Sequence, residues 1–162
     1  MIDSGSNNIP AVGNIFMGST EVNPTSVHIG PWRGVLNRHA DQLPLTMPRR
    51  GTAGDFYVLR VINDYVNMWP YISDESTGHR DIWRTPQEFL LNGGGDCEDQ
   101  SIFNFFLARA AGFPSKDLRL ILVKNMWSNV NHAICAAHTQ DTWYILDNSR
   151  EGFMQPAVAY KG

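Results

Sequence analysis

Apolar residues recur at steps of three and four between Gly54 and Trp69, and this spacing predicts an amphipathic helix. Pro70 follows directly and is expected to end the helix, because a proline ring cannot continue it. A second helix is predicted to begin after Thr85. The run Thr-Pro-Gln-Glu at 85–88 has the pattern of a capping box with proline at the first helical position.

A third helix is predicted to begin at Cys97 and to run through a mostly apolar segment. Asp96 stands where an N-cap residue is expected, and its carboxylate suits the free N–H groups of a first turn. Gly112, followed by Pro114, has the pattern of a helix end.

Three later segments have the composition of β-strands, with a tight turn at 139–141 between the last two. They are Leu118–Lys124, Ala133–His138 and Thr142–Leu146. The tail after Asp147 carries weak signals and is expected to be loop. Helices that come first and strands that follow predict an α+β domain with an antiparallel sheet.

Residues 1–50 are rich in Asn, Gly, Pro and Ser and are predicted to form an irregular N-terminal arm. Four apolar residues in it are candidate anchors to the core: Phe16, Met17, Trp32 and Leu36. Residues 51–162 are expected to form the core of one domain, in agreement with a chain of 162 residues.

Composition and charge narrow the class of protein. Hydrophobic residues make up 43% and charged residues 18% of the chain, as in a folded, soluble protein. A net charge of −3, from 13 basic and 16 acidic side chains, argues against nucleic acid as the main partner. No apolar run approaches the ~20 residues of a membrane span, so no membrane insertion is expected. The first residues lack the pattern of a signal peptide, so either the protein is made without one or Met1 replaces a removed leader.

The glycine run at 93–95 delivers Cys97 to the first turn of a helix, where N–H groups and the helix dipole favour a thiolate. Cys97 is therefore the candidate nucleophile. The other cysteine, Cys135, lies in a small apolar run and is interpreted as a core residue. A disulfide between the two is left open, because sequence cannot test its geometry.

His132 and Asp147 complete a set of nucleophile, base and orienting acid. His132 opens a predicted strand and Asp147 ends the next one. Because a short turn makes these strands antiparallel neighbours, both residues should lie near the same end of a hairpin. Each residue alone has a simpler interpretation, as a solvated histidine or a turn aspartate. The ordered combination favours a cysteine-based acyl transfer.

The acids around Cys97 call for an explanation, because Asp96, Glu98 and Asp99 would each raise the pKa of the thiol. One interpretation is helix capping, since acids favour a first turn. Another is a hard cation such as Ca²⁺, which is bound by carboxylate and carbonyl oxygens. The sequence lacks the EF-hand pattern and leaves both open.

The chain resembles the bacterial transglutaminase-like cysteine peptidases, whose best-known members are the LapG-type periplasmic proteases that cut surface adhesins. The similarity covers about residues 55–150 and rests on ordered motifs: Thr-Pro-Gln-Glu-Phe-Leu at 85–90, Gly-Asp-Cys-Glu-Asp at 95–99, Leu-Arg-Leu at 118–120, Asn-His-Ala at 131–133 and Leu-Asp-Asn at 146–148. Gln100 and Ala133 depart from the residues common in the family.

The resemblance implies a papain-like, transglutaminase-like core with Cys97, His132 and Asp147 as the catalytic triad. It also implies dependence on Ca²⁺ held by Asp96 and Glu98. A protein substrate, a membrane receptor that senses cyclic di-GMP and a periplasmic location are further implications. Without a leader, the location would be cytoplasmic.

Three functions stay open at this point. The first is a cysteine endopeptidase, the second a transglutaminase in which an amine replaces water as acceptor, and the third a non-catalytic module that binds a protein segment. The second oxyanion donor is also open, with Trp83 as a candidate whose simpler interpretation is a core residue.

Overall fold

The computed structural model describes residues 30–39, 43, 46–78, 81–124, 129–148 and 154–159. Its helices are α1 (Gly30–Arg38), α2 (Asp55–Asn67), α3 (Asp74–Thr77), α4 (Pro86–Asn92) and α5 (Cys97–Ala110). Its strands are β1 (Leu118–Lys124), β2 (Asn131–Thr139), β3 (Thr142–Leu146) and β4 (Gln155–Pro156). Short 3₁₀ turns lie at Ser115–Asp117 and Ala157–Ala159.

The strands form one antiparallel sheet in the order β1-β2-β3-β4. Pairing of Thr139 with Thr142 closes β2 and β3 through a two-residue turn, in which Gln140 and Asp141 have φ of 50° and 58°. Two successive residues with positive φ suit the right-handed twist of a hairpin. The predicted α+β class and antiparallel sheet are confirmed, and β2 begins two residues before the predicted start.

Helix α5 is the centre of the fold and packs mainly against β2 and α2. Most of its length is buried, including the polar residues Gln100, Ser101 and Asn104. Phe103 and Leu107 are fully buried in a core cluster that also takes Cys135 from β2 and Leu146 from β3. Burial of side chains this large contributes about 1.5–3 kcal/mol each. The sheet therefore holds α5, and with it Cys97, in a fixed position.

The predicted caps are present. Thr85 accepts the N–H of Glu88 while the Glu88 carboxylate accepts the N–H of Thr85, so the capping box at the start of α4 is complete. Asp96 accepts the N–H of Asp99 and caps α5. Helix α2 ends at Asn67, just before the predicted Pro70 boundary.

The prediction of an irregular arm over residues 1–50 is wrong for Gly30–Arg38, which forms α1. Packing overrides the weak helix propensity of this segment. Val35 is fully buried and the Trp32 ring meets the ring of Phe105 at 5.4 Å. Leu36 is 49% exposed and is not an anchor.

Three further predictions concern the N-terminal arm, its boundary and the tail. Phe16 and Met17, the candidate anchors in the arm, lie outside the described residues. The boundary at residue 51 stays a prediction. The tail after Asp147 includes a two-residue strand paired with β3, where loop was expected. Within the described part of the chain, no helix combines the length and apolar character that a bilayer crossing requires.

Candidate active site

The loop before Cys97 is held by close backbone contacts that only glycine permits. Ile72 donates its N–H to the Gly95 carbonyl at 2.9 Å, and Gly95 donates to the Pro70 carbonyl at 3.3 Å. Gly94 has φ of 145°, and a side chain there would collide with the Pro70 carbonyl oxygen. The glycine run therefore brings the loop against the end of α2 and fixes the point at which α5 begins.

Cys97 is the first residue of α5, directly after its cap. It is 7% exposed, so the nucleophile candidate is largely buried. Both cysteines are free and buried, and the disulfide that the sequence left open is absent.

His132 and Asp147 meet as the hairpin geometry predicts. His132 Nε2 lies 2.7 Å from Asp147 Oδ1, and the Asp147 side chain is 4% exposed. The N–H of Asn148 donates to the same oxygen at 2.7 Å. With Nε2 bound to the acid, Nδ1 is the ring nitrogen that remains for a second partner.

The nucleophile and the hairpin meet at the open edge of β2. Pairing between β2 and β3 stops at Cys135 and Leu146, so the preceding residues of β2 have no β3 partner. The backbone N–H of Ala133, next to His132, lies near enough to the Cys97 sulfur to lower the pKa of that thiol. The structure thus brings all three predicted site residues to one place.

The expectation of a thiolate favoured by the helix start is not met, because the pKa of the Cys97 thiol is raised and not lowered. Burial raises the pKa of Cys97 to about 12, helped by Glu98, whose Oε2 accepts the S–H at 2.9 Å. The nearby N–H of Ala133 opposes this rise in pKa. Neighbouring carboxylates and burial therefore outweigh the helix terminus, as the acids of the motif suggested.

Five carboxylates surround the nucleophile loop and form the acidic cluster, which consists of Asp74, Asp81, Asp96, Glu98 and Asp99. Burial and the charges of Asp99 and Glu98 raise the pKa of Asp96 to about 7. Burial also raises the pKa of Asp99 to about 6, although contacts with Arg84 lower it. Burial and neighbouring carboxylates thus disfavour the ionised forms of Asp96 and Asp99.

The carboxylates of the acidic cluster have the chemistry that a hard cation requires, but their positions match a metal site only in part. Carboxylate oxygens are the ligands that Ca²⁺ prefers. Among the described residues, no three side chains of His, Cys, Asp or Glu are grouped as a metal site. Asp96 and Glu98 would therefore need carbonyl oxygens or water to complete the coordination.

In calcium-free buffer, the free energy of unfolding is expected to fall by several kcal/mol as the pH rises from about 4 to about 7. In this range folded Asp96 and Asp99 hold protons that the unfolded chain has released, so folding weakens as they ionise. Urea unfolding in a chelator measures this. Asp96→Asn keeps a good N-cap and should flatten the pH dependence, whereas an unchanged slope would contradict this origin.

Sequence reasoning missed the contacts that hold the acid of the site. Asn67 of α2 donates to the Asp147 carbonyl at 2.8 Å, and the Asn148 amide donates to Gln100 of α5. The Leu-Asp-Asn motif at 146–148 drew attention to Asn148, but its partner Gln100 lies 48 residues earlier in the sequence. Such partners are determined by tertiary packing, and a local sequence pattern does not predict them.

Two aromatic side chains near the loop have different surroundings. Trp83 is 6% exposed and packs with Val35, Ile102 and Phe106, which favours the core interpretation over the oxyanion donor. Tyr71 is 60% exposed, and burial of its hydroxyl and the charges of Cys97 and Asp96 raise its pKa to about 12. Its phenol therefore stays protonated at neutral pH and lies in the field of the nucleophile.

Comparisons with known proteins identify the relatives of this chain. A family model described as bacterial transglutaminase-like cysteine proteinase matches residues 42–158. Legionella pneumophila LapG is 30% identical over 67% of this chain, with a TM-score of 0.58, and the chain spans 62% of that protein. Calcium-bound Legionella pneumophila LapG is 32% identical over 64% of this chain and 58% of its own, with a TM-score of 0.56.

A comparison with curated protein sequences gives no match. The family match covers well over half of the 162 residues and includes every residue of the candidate site. The resemblance that the motifs predicted is confirmed. The chain belongs to the family of bacterial transglutaminase-like cysteine proteinases.

Proposed function

We propose that this protein is a calcium-dependent cysteine endopeptidase that cleaves a protein substrate through a thioester acyl-enzyme. One observation carries the proposal. The start of α5 and the open end of the β2–β3 hairpin meet, so Cys97 lies at Ala133 while the adjacent His132 is bound to Asp147 at 2.7 Å. A buried nucleophile beside the strand that carries a base, with an acid bound to that base, supplies the parts that acyl transfer requires.

In the proposed mechanism, Cys97 Sγ attacks the carbonyl carbon of the scissile peptide bond. His132 takes the thiol proton through Nδ1 and gives it to the leaving amine, so the peptide C–N bond breaks and a thioester forms. A water molecule then attacks the thioester carbon and gives a proton to His132, which returns it to the sulfur as the acid leaves. Asp147 holds the ring and stabilises its charged form.

The tetrahedral intermediates need hydrogen-bond donors. The backbone N–H of Cys97 lies at the start of α5 and has no partner within the helix, so it is the natural first donor. The Tyr71 phenol is the side-chain donor that we propose as the second, because it lies near enough to Cys97 for the charges of the two groups to interact.

Asp96 and Glu98 would hold the calcium ion, as the family resemblance implied. The ion supplies positive charge that balances the acidic cluster, and carboxylates bound to it are poor acceptors for the Cys97 thiol. The raised pKa of Asp96 among these carboxylates supports this assignment. The similarity to a LapG solved in calcium-bound and EGTA-treated forms supports it further.

The biological setting follows from the family and is proposed on that basis. The substrate would be a large surface adhesin, and the enzyme would act in the periplasm. A membrane receptor that senses cyclic di-GMP would hold the enzyme away from its substrate. Similarity to Legionella LapG supports this setting.

The test is incubation of the protein with calcium, a peptide library and the amine dansylcadaverine. We expect new peptide N-termini without incorporation of the amine, together with preferential alkylation of Cys97 by iodoacetamide. Amine incorporation in place of cleavage would instead assign a transglutaminase. Neither reaction, with Cys97 no more reactive than an unfolded thiol, would favour the protein-binding module and overturn the proposal.

A further inference from the structure

A buried ion-pair network lies directly beneath the first turn of α5. Arg84 Nη1 contacts Asp99 Oδ2 at 2.6 Å and Asp74 Oδ1 at 2.8 Å. The main-chain N–H of Arg84 also donates to Asp99 Oδ1 at 2.7 Å. Asp99 is fully buried, and Arg84 and Asp74 are 7% and 5% exposed. Both oxygens of the Asp99 carboxylate are thus bound by the same residue.

This network reaches the nucleophile from both sides. Asp99 lies two residues after Cys97, and its N–H donates to the Asp96 cap at 3.4 Å. A side chain added at Gly95, two residues before Cys97, would collide with the Asp99 carboxylate. The residues that flank the thiol therefore rest on a carboxylate whose position is set by Arg84.

The network also joins separate parts of the chain. Asp74 at the start of α3 accepts the N–H of Ile82 at 2.6 Å in addition to its ion pair with Arg84. The segment before α4 is thus tied to α3 on one side and to α5 on the other. The same nitrogen, Nη1, carries both ties. A lysine ammonium lies one bond closer to the main chain than Nη1, so it would reach the two carboxylates poorly.

We propose that Arg84 and Asp99 are a positioning pair that sets the place of the Cys97 thiol relative to the hairpin. The inference rests on the proposed function only in that Cys97 is the nucleophile. Neither residue touches the substrate. Their role is to fix the first turn of α5, where a displacement of about 1 Å can lower a rate by about a hundredfold.

The experiment measures the rate of Cys97 alkylation by iodoacetamide well above the pKa of Asp99, with calcium present, per folded molecule and relative to the same protein in urea. Arg84→Met combined with Asp99→Asn removes the ion pair but keeps an acceptor for the main-chain N–H of residue 84. We expect this variant to react about a hundredfold more slowly than the wild type. Arg84→Lys is expected to give an intermediate rate.

Arg50→Met is the matched control. Arg50 also bridges two carboxylates, Asp55 at 2.8 Å and Asp117 at 3.1 Å, but far along the chain from Cys97. The Arg50→Met substitution should lower the free energy of unfolding and leave the alkylation rate of Cys97 in the folded protein unchanged. An equal slowing in this control, or a folded Arg84→Met/Asp99→Asn variant that reacts like the wild type, would overturn the positioning role.

Two remaining outcomes are also decisive. If the double variant does not fold, Arg84→Lys decides, because a wild-type rate in that variant contradicts the positioning role and a slower one supports it. If wild-type Cys97 reacts no faster than in urea, the proposed peptidase function fails and the positioning role fails with it. If Cys97 is alkylated rapidly in the wild type and equally rapidly in the variants, the proposed peptidase function is supported and only the positioning role is contradicted.

Discussion

Replacing Cys97 with alanine is expected to abolish peptide cleavage, with a loss in kcat of about 10⁴-fold or more. No other described side chain at this place can form the thioester, because His132 and Asp147 supply only proton transfer and orientation. The measurement is the appearance of new N-termini in a peptide library incubated with calcium. Cleavage retained in full by Cys97→Ala would rule out the proposed mechanism.

Cys135→Ala is the control for this substitution. Cys135 is the second free thiol, is fully buried, and lies on β2 opposite Leu146. Its loss should cost about 1 kcal/mol of stability through the small cavity it leaves, with cleavage unchanged. The pair of variants separates the removal of a reactive thiol from the removal of a buried sulfur atom.

In calcium-free buffer, Glu98→Gln is expected to speed the alkylation of Cys97 by about tenfold, whereas wild-type protein reacts slowly. The Glu98 carboxylate accepts the S–H at 2.9 Å and stabilises the protonated thiol, so a neutral side chain lowers the pKa of Cys97. Adding calcium should speed the wild type, and EGTA should reverse this. Calcium should have little effect on Glu98→Gln, which has lost a ligand.

Asp64→Asn is the control for the loss of one negative charge. Asp64 lies on α2, and its side chain is 56% exposed beside Arg60. This variant should respond to calcium and to EGTA as the wild type does. If Glu98→Gln proves slower than the wild type without calcium, the carboxylate does not hold the thiol in its protonated form.

The sequence predicted those parts of the site that depend on local order. The contact between His132 and Asp147 follows from two strands joined by a short turn, and the cap at Asp96 follows from its place before an apolar run. The acids beside Cys97 also signalled the raised pKa of its thiol. In each case the residues involved are close in sequence or related by one hairpin.

Contacts between distant segments could not be predicted in this way. Gln100 and Asn148 are 48 residues apart, and Arg84 reaches Asp99 across 15 residues that include a whole helix. Helix α1 depends in the same way on rings of α5 that come much later in the chain. Such pairs are selected by the packing of complete elements, which composition and spacing do not encode.

The turn at Gln140 and Asp141 limits how this protein can diversify during evolution. Side chains alternate in direction along a strand, so one inserted residue that shifted the pairing of Thr139 with Thr142 would turn one side of the hairpin over. His132 and Asp147 would then face apart, although the sheet itself could still form. An insertion of one residue that shifts this register would therefore end the activity, whereas one that keeps Thr139 paired with Thr142 would not.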